Sequence, residues 1–265
     1  MHSLIIGFSA IGLYLSSALL FARDTLRQQS HPIALYLGWL AVGMHGFSIT
    51  DQVQQYQRFN FGFFNIASLI SSLVALLLLM AAISKPVEKL GIALFPIAAA
   101  MLGLNLFFAD PETTPLDYSW PMHLHIMTSI IAFSLLNIAA FQAILLAVQE
   151  QQLRNHNPKR LFLKLPPLQT MEALLFQMIG TGLIFLSVAL GSGFIFIQDL
   201  FAQHLAHKTL LSILAWIIFT GLIFGRIRYG WRGKTAIKWT LIGFGLLLLA
   251  YFGSKFVLEL ILHRN

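Results

Sequence analysis

The chain is 265 residues long, 57% hydrophobic and only 10% charged, with a mean hydropathy of +0.76. Soluble domains average about a quarter charged residues, so a water-soluble fold is excluded and an all-α, polytopic membrane helix bundle is expected. The formal net charge of +7 sits in short connections between apolar runs, which excludes a nucleic-acid partner, and the absence of cysteine excludes disulfides, CxxC redox chemistry, thiolate metal sites and covalent haem attachment through sulfur.

A spanning helix needs about 20 apolar residues. Eight runs meet that length, at 3–22, 32–50, 61–84, 89–108, 121–149, 171–197, 208–228 and 236–262. No Lys or Arg precedes the first run, and Arg23 and Arg27 follow it. A cleavable secretory signal has the reverse order, so a retained first helix is expected. Pro32, Pro86 and Pro121 stand near helix starts, where a missing N–H costs nothing. Pro96 falls inside the fourth run, where a kink is expected. Connection 150–170, polar at first and ending in Pro166 and Pro167, reads as a solvated loop. In the sixth run, Gly180, Gly182, Gly191 and Gly193 suggest close helix approach. The whole, residues 1–265, is expected to form a single integral membrane domain.

The basic residues fix an orientation. Thirteen of the seventeen fall in or beside the connections after runs 1, 3, 5 and 7, from Arg23 to Lys238. The exceptions are Arg58, Lys208, Lys255 and Arg264. The positive-inside rule then places both termini outside, in the periplasm of a bacterial inner membrane.

Ionisable groups in spans are costly and mark functional candidates. His45 lies about five residues before the outer end of the second span, and His125 about four after the outer start of the fifth. At about 1.5 Å rise per residue both sit roughly 6–8 Å below the boundary. His123, His207 and His263 lie at the same face and are secondary candidates. Two neutral imidazoles from different helices can ligate a haem iron from opposite sides, so one reading of the matched depth is that His45 and His125 hold a haem. The alternative is that each imidazole hydrogen-bonds a neighbouring helix.

Asn65, Asn105 and Asn137, and Gln142 with Gln177, are expected to join helices at about 0.6–2 kcal/mol each. No Walker loop, HExxH, GxSxG or paired intramembrane carboxylates occur, so no catalytic residue is expected and the chain does not read as an enzyme.

From Lys208 the sequence has a recognisable cadence: Trp216, Arg226, the turn Gly230-Trp231-Arg232-Gly233, then Tyr251-Phe252-Gly253. With Met122-His123-Leu124-His125 upstream, this resembles the membrane cytochrome c assembly family, the CcsA/HemX group, and within it the YpjD-type inner-membrane branch. The likeness covers about 45–255. It implies haem handling or cytochrome c maturation, with His125 and His45 in the places of the family's intramembrane histidines. The tryptophan-rich external loop of full synthetases is missing: Leu205-Ala206-His207-Lys208 stands in its place, and Asn60 and Phe224 stand where histidines are expected. A full synthetase is therefore not implied. Besides the lipid bilayer, the partners expected are haem and a membrane protein. A cofactor-free accessory or regulatory subunit and a small-molecule or ion transporter are the alternatives.

Overall fold

A polypeptide in hydrocarbon must satisfy its backbone groups within the chain, and the apolar runs do so as helices. The structure, a computed structural model, describes residues 2–27, 32–56, 62–108, 120–154, 165–196 and 206–253. Eight α-helices result: α1 (His2–Arg27), α2 (Pro32–Tyr56), α3 (Phe63–Ala82), α4 (Gly91–Phe108), α5 (Trp120–Arg154), α6 (Leu168–Phe196), α7 (Ala206–Tyr229) and α8 (Gly233–Leu248). A 3₁₀ turn at Glu88–Leu90 leads into α4, and a π-helical turn at Leu249–Gly253 continues α8. All eight are long and apolar enough to cross a bilayer, and no strand occurs among the described residues.

Several helices outrun their apolar runs. α1 ends at Arg27 instead of 22, α2 at Tyr56 instead of 50, and α5 continues to Arg154 instead of 149. The added tails are rich in Gln, Glu and Arg, good helix formers that continue a helix into water once it is nucleated. α4 runs through Pro96 as one helix. α8 starts at Gly233, three residues before the expected 236, because the preceding turn is tighter than a polar linker would be.

The helices fall into two compact units, α1–α4 and α5–α8. In the first, α1 packs on α2 and α4, while α3 packs on α4 and α2. Buried alanines (Ala10, Ala34, Ala41, Ala75) let backbones approach, and Tyr14, Phe21 and Phe95 fill the interior. The second unit repeats that neighbour order: α5 packs on α6 and α8, and α7 on α8 and α6. Of the sixth-run glycines, Gly182 makes the close approach, since a Cβ there would meet Leu136 at 2.8 Å; Gly180 and Gly191 face open space. Phe133 on α5 packs against Phe244, Tyr251 and Phe252 at ring separations of 5.5, 4.9 and 5.7 Å. Trp216 donates its indole N–H to Ser187 Oγ at 2.8 Å, tying α7 to α6.

The Gly230–Gly233 turn is held from below. Gly230 and Gly233 have φ of 66° and 49°, a region that side chains with a Cβ rarely enter. The Trp231 indole lies over Gly225, where any Cβ would overlap it. The Trp231 backbone N–H donates to the Gly225 carbonyl at 3.1 Å, and Arg226 Nη1 donates to the Trp231 carbonyl at 3.3 Å. Beneath the turn sits Glu172 of α6, 7% exposed. Its Oε1 accepts the Gly233 N–H at 2.7 Å, and its Oε2 accepts Arg232 Nε at 3.2 Å. Arg226 Nη1 stands 3.9 Å from Oε1, with its guanidinium 4.7 Å above the Phe176 ring.

One carboxylate thus clamps α6 to the α7–α8 turn. Glu172→Ala should strand the Gly233 N–H and lower stability by about 1–3 kcal/mol, most of it from that bond because Arg232 is largely solvated. Glu172→Gln, which keeps an acceptor, should lose less. Thermal unfolding in detergent and protease sensitivity near 228–235 read both effects; equal stability of all three proteins would rule the clamp out.

Candidate functional site

Each intramembrane histidine is placed by the helices of its own unit. His45 is on α2, fully buried. Two neighbouring helices meet its ring. The Tyr14 hydroxyl of α1 lies 3.3 Å from Nδ1, and Ser68 Oγ of α3 lies 2.9 Å from Nε2. The Tyr14 ring meets the imidazole edge-on, centroids 5.8 Å apart at 83°. Phe95 of α4 packs behind Tyr14 at 5.6 Å. A neutral imidazole carries one donor and one acceptor nitrogen, and a hydroxyl can meet either. Both ring nitrogens are therefore satisfied, whichever tautomer is present.

The polar lining continues along α2. Ser48 and Gln52 follow His45 at one and two helical turns, on the same face. Gln52 Oε1 accepts a hydrogen bond from Asn105 Nδ2 of α4 at 3.3 Å, the helix-joining role expected of Asn105. Ser48 Oγ and Asn105 Oδ1 are buried without a partner among the described residues.

His125 differs. It lies near the start of α5 and is half-buried. Nδ1 lies 2.8 Å from the Ala189 carbonyl oxygen of α6 and 3.3 Å from Ser192 Oγ. A carbonyl oxygen only accepts, so Nδ1 carries the proton. In the neutral ring, Nε2 then holds a free lone pair. A histidine that ligates a metal commonly has its second ring N–H fixed on a carbonyl in this way, which sets the tautomer and aims the ring. Ser192 donates to the same Ala189 carbonyl at 3.0 Å and so braces the acceptor.

Against the needs of a haem-iron ligand, His125 fits as it stands. His45 does not, because its ring is fully buried and both nitrogens are already hydrogen-bonded, Nδ1 with Tyr14 and Nε2 with Ser68. His123 and His207 are exposed at helix starts. His263 lies outside the described residues. Among the described residues no cluster of three or more His, Cys, Asp or Glu could hold a bare metal ion.

Other expected pairings resolve differently. Gln142 does not pair with Gln177; its Nε2 donates to the Met171 carbonyl at 3.0 Å. Asn137 Oδ1 is buried without a partner among the described residues. Sequence reasoning also passed over Tyr14, Ser68, Ala189 and Glu172. A tyrosine near the middle of the first span and an acid inside the sixth were the available signals. Ala189 offered none, since it acts through its backbone.

The family described as Cytochrome C assembly protein matches residues 31–262. Inner membrane protein YpjD of Escherichia coli (strain K12) is 32% identical over 208 residues, covering 76% of each chain. Cytochrome c biogenesis protein CcsA of Guillardia theta is 23% identical over 185 residues, 63% of this chain and 61% of that protein. CcsA of Chlamydomonas reinhardtii is 24% identical over 155 residues, 57% of this chain and 42% of that one. No solved structure matches the chain.

The buried His45 arrangement makes a prediction independent of any ligand. Tyr14→Phe and Ser68→Ala should each cost about 1–2 kcal/mol, because each leaves an imidazole nitrogen unpaired in an apolar interior. The two bonds share one ring, so the double variant should depart from additivity by about 0.5 kcal/mol or more. Detergent unfolding of the four proteins gives the coupling; strictly additive losses would mean that the ring does not link α1 to α3.

Proposed function

The chain belongs to the cytochrome c assembly protein family, and from that membership we propose that it is a haem-handling protein of the bacterial inner membrane. Both termini lie on the periplasmic side, and residues 1–265 act as one integral membrane domain. Its histidines His125 and His45 are haem-iron ligands, with haem b as the cofactor. The protein acts in cytochrome c assembly or haem biogenesis without being a full synthetase and without a chemical step of its own.

The observation that carries this reading is the fixed ring of His125. Its Nδ1–H is committed to the Ala189 carbonyl, so Nε2 presents a lone pair from a half-buried position near the start of a span. Bound haem would supply an iron that accepts a lone pair from an imidazole nitrogen, and His125 and His45 would hold it. The chain supplies the rest. Ala189 and Ser192 hold the tautomer, and α5 and α6 exclude water from the bond between them. Tyr14 steadies His45, and Ser68 competes for its Nε2. The name of the CcsA relatives, cytochrome c biogenesis protein, supports the same direction.

A second reading, a cofactor-free accessory subunit of a membrane partner, is favoured by one observation: His45 is fully hydrogen-bonded without any ligand.

An optical spectrum of protein purified from haem-replete cells separates the two. A Soret band is expected, abolished in His125→Ala and weakened or abolished in His45→Ala. Ser68→Ala should keep or strengthen it, since it removes a competitor for Nε2. A colourless, folded wild-type protein would leave the accessory reading standing alone.

A further inference from the structure

The cations around the α7–α8 turn are not equivalent. Glu172 engages two of them, Arg226 and Arg232. Three others, Arg228, Lys234 and Lys238, are exposed and form no ion pair among the described residues. Another acid near the turn is Glu150, half-buried, whose Oε2 lies 4.0 Å from the position of a Cβ on Gly233. Segment 155–164 can add no neutralising charge, because its sequence holds no Asp or Glu and three further cations, Lys159, Arg160 and Lys164.

Lys234 and Lys238 stand four apart on α8, so they are neighbours on one face about 5–6 Å apart at Cβ, where like charges repel. They also sit in the first turns of that helix, whose N-terminal dipole favours an anion. The turn beneath them is fixed by Glu172, Trp231 and two positive-φ glycines, so the cations start from a rigid frame. On the membrane side the surface changes character. Phe224, Ile227 and Arg228 share a face of α7 by their spacing, and Ile227 is 80% exposed. Between cations and apolar residues lie Tyr229 and Trp231, stacked at 6.4 Å, and the part-exposed Trp239. Aromatics at that level are the mark of the headgroup layer.

We propose that this turn is a binding site for an anionic phospholipid, whose headgroup phosphate bridges Arg228, Lys234 and Lys238 while its acyl chains lie along Phe224 and Ile227. The occupant is a lipid and not a free anion because the same patch joins cations to exposed apolar side chains through an aromatic layer. The bound phosphate relieves the Lys234–Lys238 repulsion, and it docks on a turn that Glu172 has already organised.

The full chain is placed in nanodiscs of phosphatidylcholine alone or of phosphatidylcholine with phosphatidylglycerol. Lipid retained after release is counted by native mass spectrometry, and melting is followed in each disc. Wild-type protein should retain phosphatidylglycerol preferentially and melt higher in its presence. Arg228→Gln, Lys234→Gln and Lys238→Gln combined should weaken retention by about fivefold per charge removed, the equivalent of about 1 kcal/mol per cation at the surface. A control set, Arg23→Gln, Lys85→Gln and Arg154→Gln, removes three exposed cations elsewhere and should leave retention intact. Equal loss in both sets would reduce the effect to diffuse surface charge and overturn the site, as would no loss in the first set. If the triple variant fails to fold, Lys234→Gln and Lys238→Gln singly carry the test, each expected to lose about fivefold. The haem spectrum is not expected to change in any of these proteins.

Discussion

Inside hydrocarbon a polar group that finds no partner within the protein finds none at all. That constraint decides most of what is particular about this chain. The apolar runs fold as helices because their backbones have no water to bond. The few polar side chains within those helices then determine which helices are neighbours. His45 draws α1 and α3 to α2 through two hydroxyls. His125 reaches across to a backbone carbonyl of α6. Glu172, a buried carboxylate, gathers a backbone N–H and two guanidinium groups under the α7–α8 turn. The aliphatic and aromatic contacts fill the space between these fixed points, and lipid competes for such contacts in a way it cannot for a hydrogen bond.

How far this was legible beforehand follows from the same physics. Eight spans could be placed because length and apolarity alone decide insertion, and a long apolar run has no competing fate. Their ends were less legible: the tails of α1, α2 and α5 are polar yet helical, so hydropathy stops before the hydrogen-bond ladder does. The positions of His45 and His125 along their helices could be counted from the sequence. Their partners could not, because helix rotation depends on packing, and because Ala189 contributes an oxygen that its side chain does not announce. Gln142 makes the same point. It was expected to pair with a side chain and instead bonds the Met171 carbonyl, an acceptor present at every residue. Glu172 was visible as an acid inside an apolar run, but its meaning depended on a turn far along the chain.

The two histidines, alike in sequence position, are chemically unlike. His45 is enclosed, with both nitrogens met by hydroxyls that can donate or accept. His125 is half-open, with one nitrogen fixed by an acceptor that cannot switch roles. Hydroxyl partners leave the tautomer of His45 free to exchange, and a carbonyl partner fixes that of His125. A ligand seeking an imidazole lone pair meets it directly at His125 and has to displace Ser68 at His45. The asymmetry leaves one ring nitrogen of His125 without a hydrogen bond and none of His45.

The features that make the chain recognisable are mostly mechanical. Gly230 and Gly233 stand where φ is positive, Gly225 stands under an indole, Trp231 closes the turn, and Arg226 and Arg232 answer Glu172. Phe133 packs on Tyr251 and Phe252 for the same reason. Such residues mark relatives that share a scaffold, and they do not report what the scaffold carries. A functional reading has to rest on groups the scaffold does not need. Glu172 and the turn glycines would be required for α6, α7 and α8 to assemble whatever the protein does. The Nε2 lone pair of His125 is required for nothing in the fold, since the ring is already held through Nδ1. A ring anchored on one side and left chemically open on the other is what the proposed haem role rests on.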